Sequence, residues 1–172
     1  YRFRVIEELR RLTGLGLAAA EYPMDLTQNN DVFVEVSGLL KALAVNLMKI
    51  ANDFRIMNSG PGGGIGELHL KAMQQGSTIM PGKVNPTQNE ALTMVCAQVL
   101  GNDTTISFAG TQGNYELNVF KPVMAYNFLQ SAQLLGDAMT SFNEHCAVGI
   151  EANRERIKEL VDKSLMLVTA LN

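Results

Sequence analysis

Cysteine is scarce in this 172-residue chain, with only Cys96 and Cys146 present. Neither belongs to a Cys-x-x-Cys pair or a Cys/His ligand spacing, so the sequence offers no zinc-ligand pattern. The two read as buried thiols in a reducing compartment. A dominant charge is also missing: 14 basic and 17 acidic residues leave a net charge of −3. That balance gives no electrostatic footprint for nucleic acid or an anionic membrane surface. No run of 18 apolar residues occurs, so no transmembrane helix is expected, and no secretory signal opens the chain. There is no strand-rich region and no repeat of fixed period. Histidine is limited to His69 and His145, each read as a surface or locally hydrogen-bonded residue.

What is present is helical periodicity. The 47% hydrophobic content and the length fit one soluble domain able to bury a core. Residues 2–13 carry Val5, Leu9 and Leu12 at helical spacing, and Gly14 and Gly16 end that stretch. Residues 17–29 read as a connection, with Pro23 as a breaker. From Asp31 to Met57 two apolar stripes run side by side. One is Val32, Val36, Leu39, Leu43, Leu47, Ile50, Phe54 and Met57; the other is Leu40, Ala44, Leu47 and Ala51. A helix of roughly 40 Å with so wide an apolar face suits a bundle, including one between subunits. Residues 86–102 are apolar on most sides and predict a deeply buried helix. Residues 119–142 predict another, with Pro122 in its first turn and Val123, Leu129, Ala132, Leu135, Ala138, Met139 and Phe142 facing the core. Gly149 ends the helical segment, and Asn153 caps a short helix that includes Ile157, Leu160 and Val161. The fold class expected is all-α, a bundle of long helices. The chain starts at Tyr1 and stops at Asn172 within helical-looking sequence, which reads as a piece of a larger protein.

Two glycine-rich stretches separate the long helices. Ser59-Gly-Pro-Gly-Gly-Gly-Ile-Gly66 is read as a loop or hinge. It lacks the third glycine of a dinucleotide fingerprint, because Ile65 stands there. The later pair Gly76 and Gly82 has five residues between them where a P-loop has four, and Val84 follows the lysine. Nucleotide binding is rejected on those mismatches.

Residues 76–88, Gly-Ser-Thr-Ile-Met-Pro-Gly-Lys-Val-Asn-Pro-Thr-Gln, carry the chemistry. Gly76 and Gly82 allow unusual φ, and Pro81 and Pro86 restrict the backbone, so a shaped loop is expected. Asn85 reads as a helix N-cap, Pro86 as the first helical residue and Gln88 as its capping-box partner. Lys83 then lies just before a helix N-terminus, whose free N–H groups and dipole favour the same negative charge as its ammonium. A carboxylate or phosphate would be held by both.

Residues 76–86 resemble the signature loop of the fumarase/aspartase superfamily, and Pro81-Gly-Lys-Val-Asn-Pro-Thr-Gln88 resembles its class II, iron-independent fumarases. The likeness extends along the chain, most clearly at Glu116-Leu-Asn-Val-Phe-Lys-Pro122 and Ser164-Leu-Met-Leu-Val-Thr-Ala-Leu-Asn172. The resemblance implies a lyase of the tricarboxylic acid cycle that reversibly hydrates fumarate to malate. It implies no metal or organic cofactor, a homotetramer, and a cytoplasmic or, in a eukaryote, mitochondrial-matrix location. It assigns residues 1–149 to the second half of the central helical domain and 150–172 to the start of a C-terminal domain. Ser77 is implied as the base that takes a proton from C3 of malate, which needs its alkoxide stabilised by nearby N–H groups or cations. Lys83 would neutralise the dianionic aci-carboxylate intermediate. Thr78, Val84 and Asn85 match substrate-contacting positions, and Glu90 matches a glutamate that supports a catalytic histidine. That histidine belongs to a Gly-Arg-Thr-His type segment, and neither His69 nor His145 lies in one.

Departures accompany the match. Gly62 and Gly63 stand where the family commonly has Arg and Cys or Ser, Met73-Gln74-Gln75 replaces an Asn-Glu-Pro approach, and Thr78 replaces a second serine. Bland readings remain beside the chemical ones. Ser77 could serve only turn hydrogen bonding, Asn85 only capping, and Glu90 only the helix dipole. The alternatives in function are an aspartate ammonia-lyase of the same superfamily and a catalytically silent helical oligomerisation fragment. A Ser/Lys hydrolase is disfavoured, since Ser77 and Lys83 are six apart rather than three.

Overall fold

Small residues at seven-residue intervals decide how the longest helix packs. In the computed structural model, which describes residues 1–74, 76, 79–80 and 82–171, the elements are α1 (Arg2–Thr13), α2 (Pro23–Gln28), α3 (Asp31–Met57), β1 (Leu68–His69), α4 (Thr87–Gly110), α5 (Lys121–His145), β2 (Glu151–Ala152) and α6 (Arg154–Asp162). Short 3-10 turns lie at Asn114–Glu116, Ala147–Gly149 and Leu165–Leu171. On α3 the buried positions are Ser37, Ala44 and Ala51. Their small side chains let its backbone approach α4 closely. Helix α4 lies between α3 and α5 and packs on both. The expected all-α bundle is present. Its only strands among the described residues are the two-residue β1 and β2, antiparallel with Leu68 opposite Ala152 and His69 opposite Glu151.

The main core gathers Ala44, Ala51, Leu92, Cys96, Val99, Leu135, Phe142 and Cys146. Phe54 of α3 stacks on Phe142 of α5 with centroids 6.3 Å apart. A second cluster, Ile106, Ala109 and Met124, lies toward the other end, beside Val34, Phe120 and Phe128. Both cysteines are buried and unpaired, as expected, and burial pushes both thiols above their ordinary pKa.

Polar groups pin the helix registers. Asp103 of α4 is buried and accepts from Ser37 Oγ at 2.8 Å and Lys41 Nζ at 2.6 Å, both from α3. Asn102 Nδ2 donates to Ser131 Oγ and to Gln130 Oε1, each at 3.0 Å, on α5. Asn89 Nδ2 donates to the Ala51 carbonyl at 3.2 Å. Such bonds leave no slack for a one-turn slip, because a shifted helix would strand a buried polar group.

Several sequence expectations need correction. The Val32, Val36, Leu39, Leu43 and Ile50 stripe of α3 is exposed, and only the Ala44/Ala51 stripe is buried, with Leu40 and Leu47 packed beside it. Helix α4 is not buried all round: Met94 and Phe108 are exposed, and the helix runs eight residues past Asn102. On α5, Val123, Leu129 and Ala132 face outward, while Met124 and Ser131 join Leu135 and Phe142 in the interior. Helices α3 and α5 each bury mainly the face turned to α4, which packs on both, so their other apolar residues are left uncovered among the described residues. Pro23 does not break structure but starts α2, where its fixed φ and missing N–H are tolerated. Gly14 ends α1 with φ +70°, and its N–H bonds the Arg10 carbonyl at 2.9 Å, as its position predicts.

Candidate functional site

The C-terminal end of α3 and the N-terminal end of α4 open into a cavity of about 880 Å³. Four segments supply its walls. Arg55 comes from the last turn of α3, and the glycine-rich residues 59–66 follow it. Lys83, Val84 and Asn85 come from the loop before α4, and Glu90 from the first turn of α4. His69 comes from β1, with Asn153 and Arg156 from the start of α6.

The loop takes its shape from backbone constraints. Gly82 has φ +82°, which a side chain would strain. At Gly76 a Cβ would lie 2.6 Å from the Lys83 carbonyl oxygen, so the two ends of the loop approach closely only because glycine is there. Lys83 N–H closes a turn on the Met80 carbonyl at 3.2 Å. The capping expectation is corrected here. The helix begins one residue later than predicted, at Thr87, with Pro86 at the cap and no side-chain cap bond. Gln88 is not a capping-box partner. Its Oε1 accepts from Ser141 Oγ of α5 at 2.9 Å instead, because the tertiary contact competes for the same amide. Asn85 is thereby released from the cap and lines the cavity.

Among the predicted site residues, Lys83, Val84, Asn85 and Glu90 share this one cavity. Ser77 and Thr78 lie outside the described residues. Lys83 and Val84 are exposed, and Asn85 and Glu90 are half-buried. Among the described residues Lys83 has no ion-pair partner. Glu90 Oε1 lies 3.9 Å from an Arg55 guanidinium nitrogen, and Arg55 also donates to Asn52 Oδ1 at 3.2 Å. Both partners of that pair are substantially solvated, so it orients more than it stabilises. Three cationic side chains, Arg55, Lys83 and Arg156, face one carboxylate, Glu90, across the walls. The chamber therefore favours an anion, and Lys83 is the cation left free to meet it. No group of three or more His, Cys, Asp or Glu that could hold a metal occurs among the described residues.

Arg55, His69 and Arg156 were not singled out as site residues by sequence reasoning, and Asn153 was read only as a cap. Arg55 sits at the end of an apolar periodic stretch and carries no motif. His69 and Arg156 reach the cavity where β1 pairs with β2 and α6 follows, a contact that two-residue strands do not announce in the sequence. His145 is a local hydrogen bonder, as expected, with Nδ1 3.0 Å from the Ser141 carbonyl.

Comparison with known proteins shows the family to which the chain belongs. A family model described as Lyase matches residues 1–101. The class II fumarate hydratase of Pasteurella multocida is 63% identical over 172 residues, covering all of this chain and 37% of that protein. Among solved structures, fumarate lyase:delta crystallin from Brucella melitensis in native form matches with a TM-score of 0.94 at 46% identity, over 98% of this chain and 39% of that one. Recombinant class II fumarase from Schistosoma mansoni matches with a TM-score of 0.86 at 42% identity, over 98% of this chain and 38% of that one. The chain spans just over a third of the length of these relatives.

Proposed function

Because this chain belongs to the lyase family whose model covers residues 1–101, we propose that it is the signature-loop segment of a class II fumarate hydratase, which interconverts fumarate and malate. The observation that carries this reading is Lys83, without an ion-pair partner among the described residues, placed with Asn85 and Glu90 in one cation-lined cavity at a helix start. A dicarboxylate offers two negative charges to such a chamber. In the dehydration direction, Ser77 takes the C3 proton of malate and Lys83 neutralises the charge that moves onto the adjacent carboxylate. Thr78, Val84 and Asn85 hold the substrate. Glu90 supports a histidine supplied from outside these 172 residues, which delivers the proton with which the C2 hydroxyl leaves as water.

The end of α5 and the Ala147–Gly149 turn leading into β2 support a domain division between residues 149 and 150. Assembly into a homotetramer fits the exposed apolar stripe of α3, and two buried free thiols fit a cytoplasmic or matrix location. That stripe also favours the second reading, a fragment that only assembles.

A hybrid tests the proposal: the Pasteurella multocida relative with its matching segment exchanged for this chain. The hybrid should consume fumarate and form malate, and the chain alone should not. Ammonia release from aspartate by the hybrid would favour the ammonia-lyase instead, and a folded hybrid without either activity would leave the oligomerisation reading.

A further inference from the structure

The glycine-rich segment 59–66 should be among the least ordered parts of the chain, since five of its eight residues are glycine. Its last residues are nevertheless tied to α6. Arg156 Nε donates to the Ile65 carbonyl at 3.0 Å. Asn153 Nδ2 donates to the Gly66 carbonyl at 3.0 Å, and Asn153 N–H donates to the Glu67 carbonyl at 2.8 Å. Three consecutive carbonyls are thus held by two residues about ninety positions away in sequence. The β1–β2 pairing continues the tie at Leu68 and His69.

Asn153 performs two tasks with one amide. Its Oδ1 accepts from Arg156 N–H at 3.2 Å, capping α6, while its Nδ2 holds Gly66. Capping and loop attachment therefore share one side-chain orientation. Arg156 is oriented from the other side by Glu159, at 2.7 Å. Both Asn153 and Arg156 also line the cavity that contains Lys83 and Asn85.

We propose that Asn153 and Arg156 are positioning residues that latch the wall formed by residues 65–69 onto α6, so that α6 sets the shape of the anion-binding cavity. Neither residue needs to touch substrate. Loosening the latch lets the wall leave its binding-competent position, and apparent affinity falls in proportion to the competent fraction. The part of this inference that concerns turnover rests on the hydratase reading above.

Asn153→Asp separates the two tasks. Aspartate keeps a good N-cap acceptor for α6 but has no donor for the Gly66 carbonyl. In the hybrid enzyme, this variant should retain α6 while hydrogen exchange across 59–70 speeds up about fivefold, the scale of one net hydrogen bond. KM for fumarate should rise by less than the exchange rate does, with kcat within about twofold, because the competent fraction falls less steeply than the open fraction grows while the closed wall predominates. Arg156→Ala should act in the same direction. Arg156→Lys, which still offers a donor, should recover most of the loss. Unchanged exchange across 59–70 in both Asn153→Asp and Arg156→Ala would overturn the latch. Faster exchange with an unchanged KM in the Asn153→Asp/Arg156→Ala double variant, where the wall opens most, would overturn its link to the cavity. A parent hybrid with no turnover would defeat the hydratase reading, and the exchange measurements would still decide the latch.

Discussion

Removing Lys41 should cost more stability than neutralising its partner Asp103. The Asp103 side chain is 5% exposed and that of Lys41 is 46% exposed. In Lys41→Ala the carboxylate stays buried between α3 and α4 with Ser37 Oγ as its remaining partner. A buried charge stripped of its counterion is costly, at about 3–5 kcal/mol when the pair is fully enclosed. Because Lys41 is half in water, part of the pair's attraction is already screened, and about 2–3 kcal/mol is expected. For a domain of this size that corresponds to a fall in Tm of ~4–12 °C. In Asp103→Asn the Ser37 bond survives, and the released lysine can swing into solvent, so about 1 kcal/mol is expected. Urea titration followed by circular dichroism, with wild type, both single variants and the double variant, measures the asymmetry and the coupling. Equal costs, or a smaller cost for Lys41→Ala, would refute the view that the buried carboxylate is what the pair protects. The pair matters for the site, because it sets the α3–α4 register that brings Arg55 to Glu90.

Three further outcomes follow from the same structure. In the hybrid enzyme, Ser77→Ala should lower kcat by about 10²–10⁴-fold with a much smaller change in KM, whereas Lys83→Ala should damage both, as steady-state kinetics will show. Glu159 accepts from Lys163 Nζ at 2.5 Å and from Arg156, and these partners hold its carboxyl at about 2 against an ordinary 4.5. Its folded pKa is depressed, so its contribution to α6 is present above about pH 4.5 and is lost as pH falls toward 2. Lower protection factors in α6 at pH 3 than at pH 6, taken relative to the intrinsic exchange rate at each pH and with the difference abolished in Glu159→Gln, check the sign. Finally, the Val32, Val36, Leu39 and Leu43 stripe should drive self-association, and Leu39→Glu should shift sedimentation toward monomer without loss of helicity.

The extent of α3 was legible in the sequence because its apolar spacing is long and its ends carry Asp31 and a glycine-rich stretch. Gly14 and Asn153 declared their capping roles through residue type alone, since each satisfies a local backbone need. The grouping of Lys83, Asn85 and Glu90 was legible for a related reason. They lie within eight residues of one loop-to-helix junction, so local geometry already confines them to one end of α4. Which stripe of each helix is buried was a tertiary decision. Leu39 and Ala44 are both apolar, and only the closer approach allowed by alanine against α4 selects one over the other. Likewise Gln88 had a plausible local role at the cap until Ser141 arrived from α5. The arrival of Arg55, His69, Asn153 and Arg156 around Lys83 depended on helix packing and on a strand pair two residues long. Periodicity along a sequence reports the faces a helix could bury, and only the neighbouring helices choose among them.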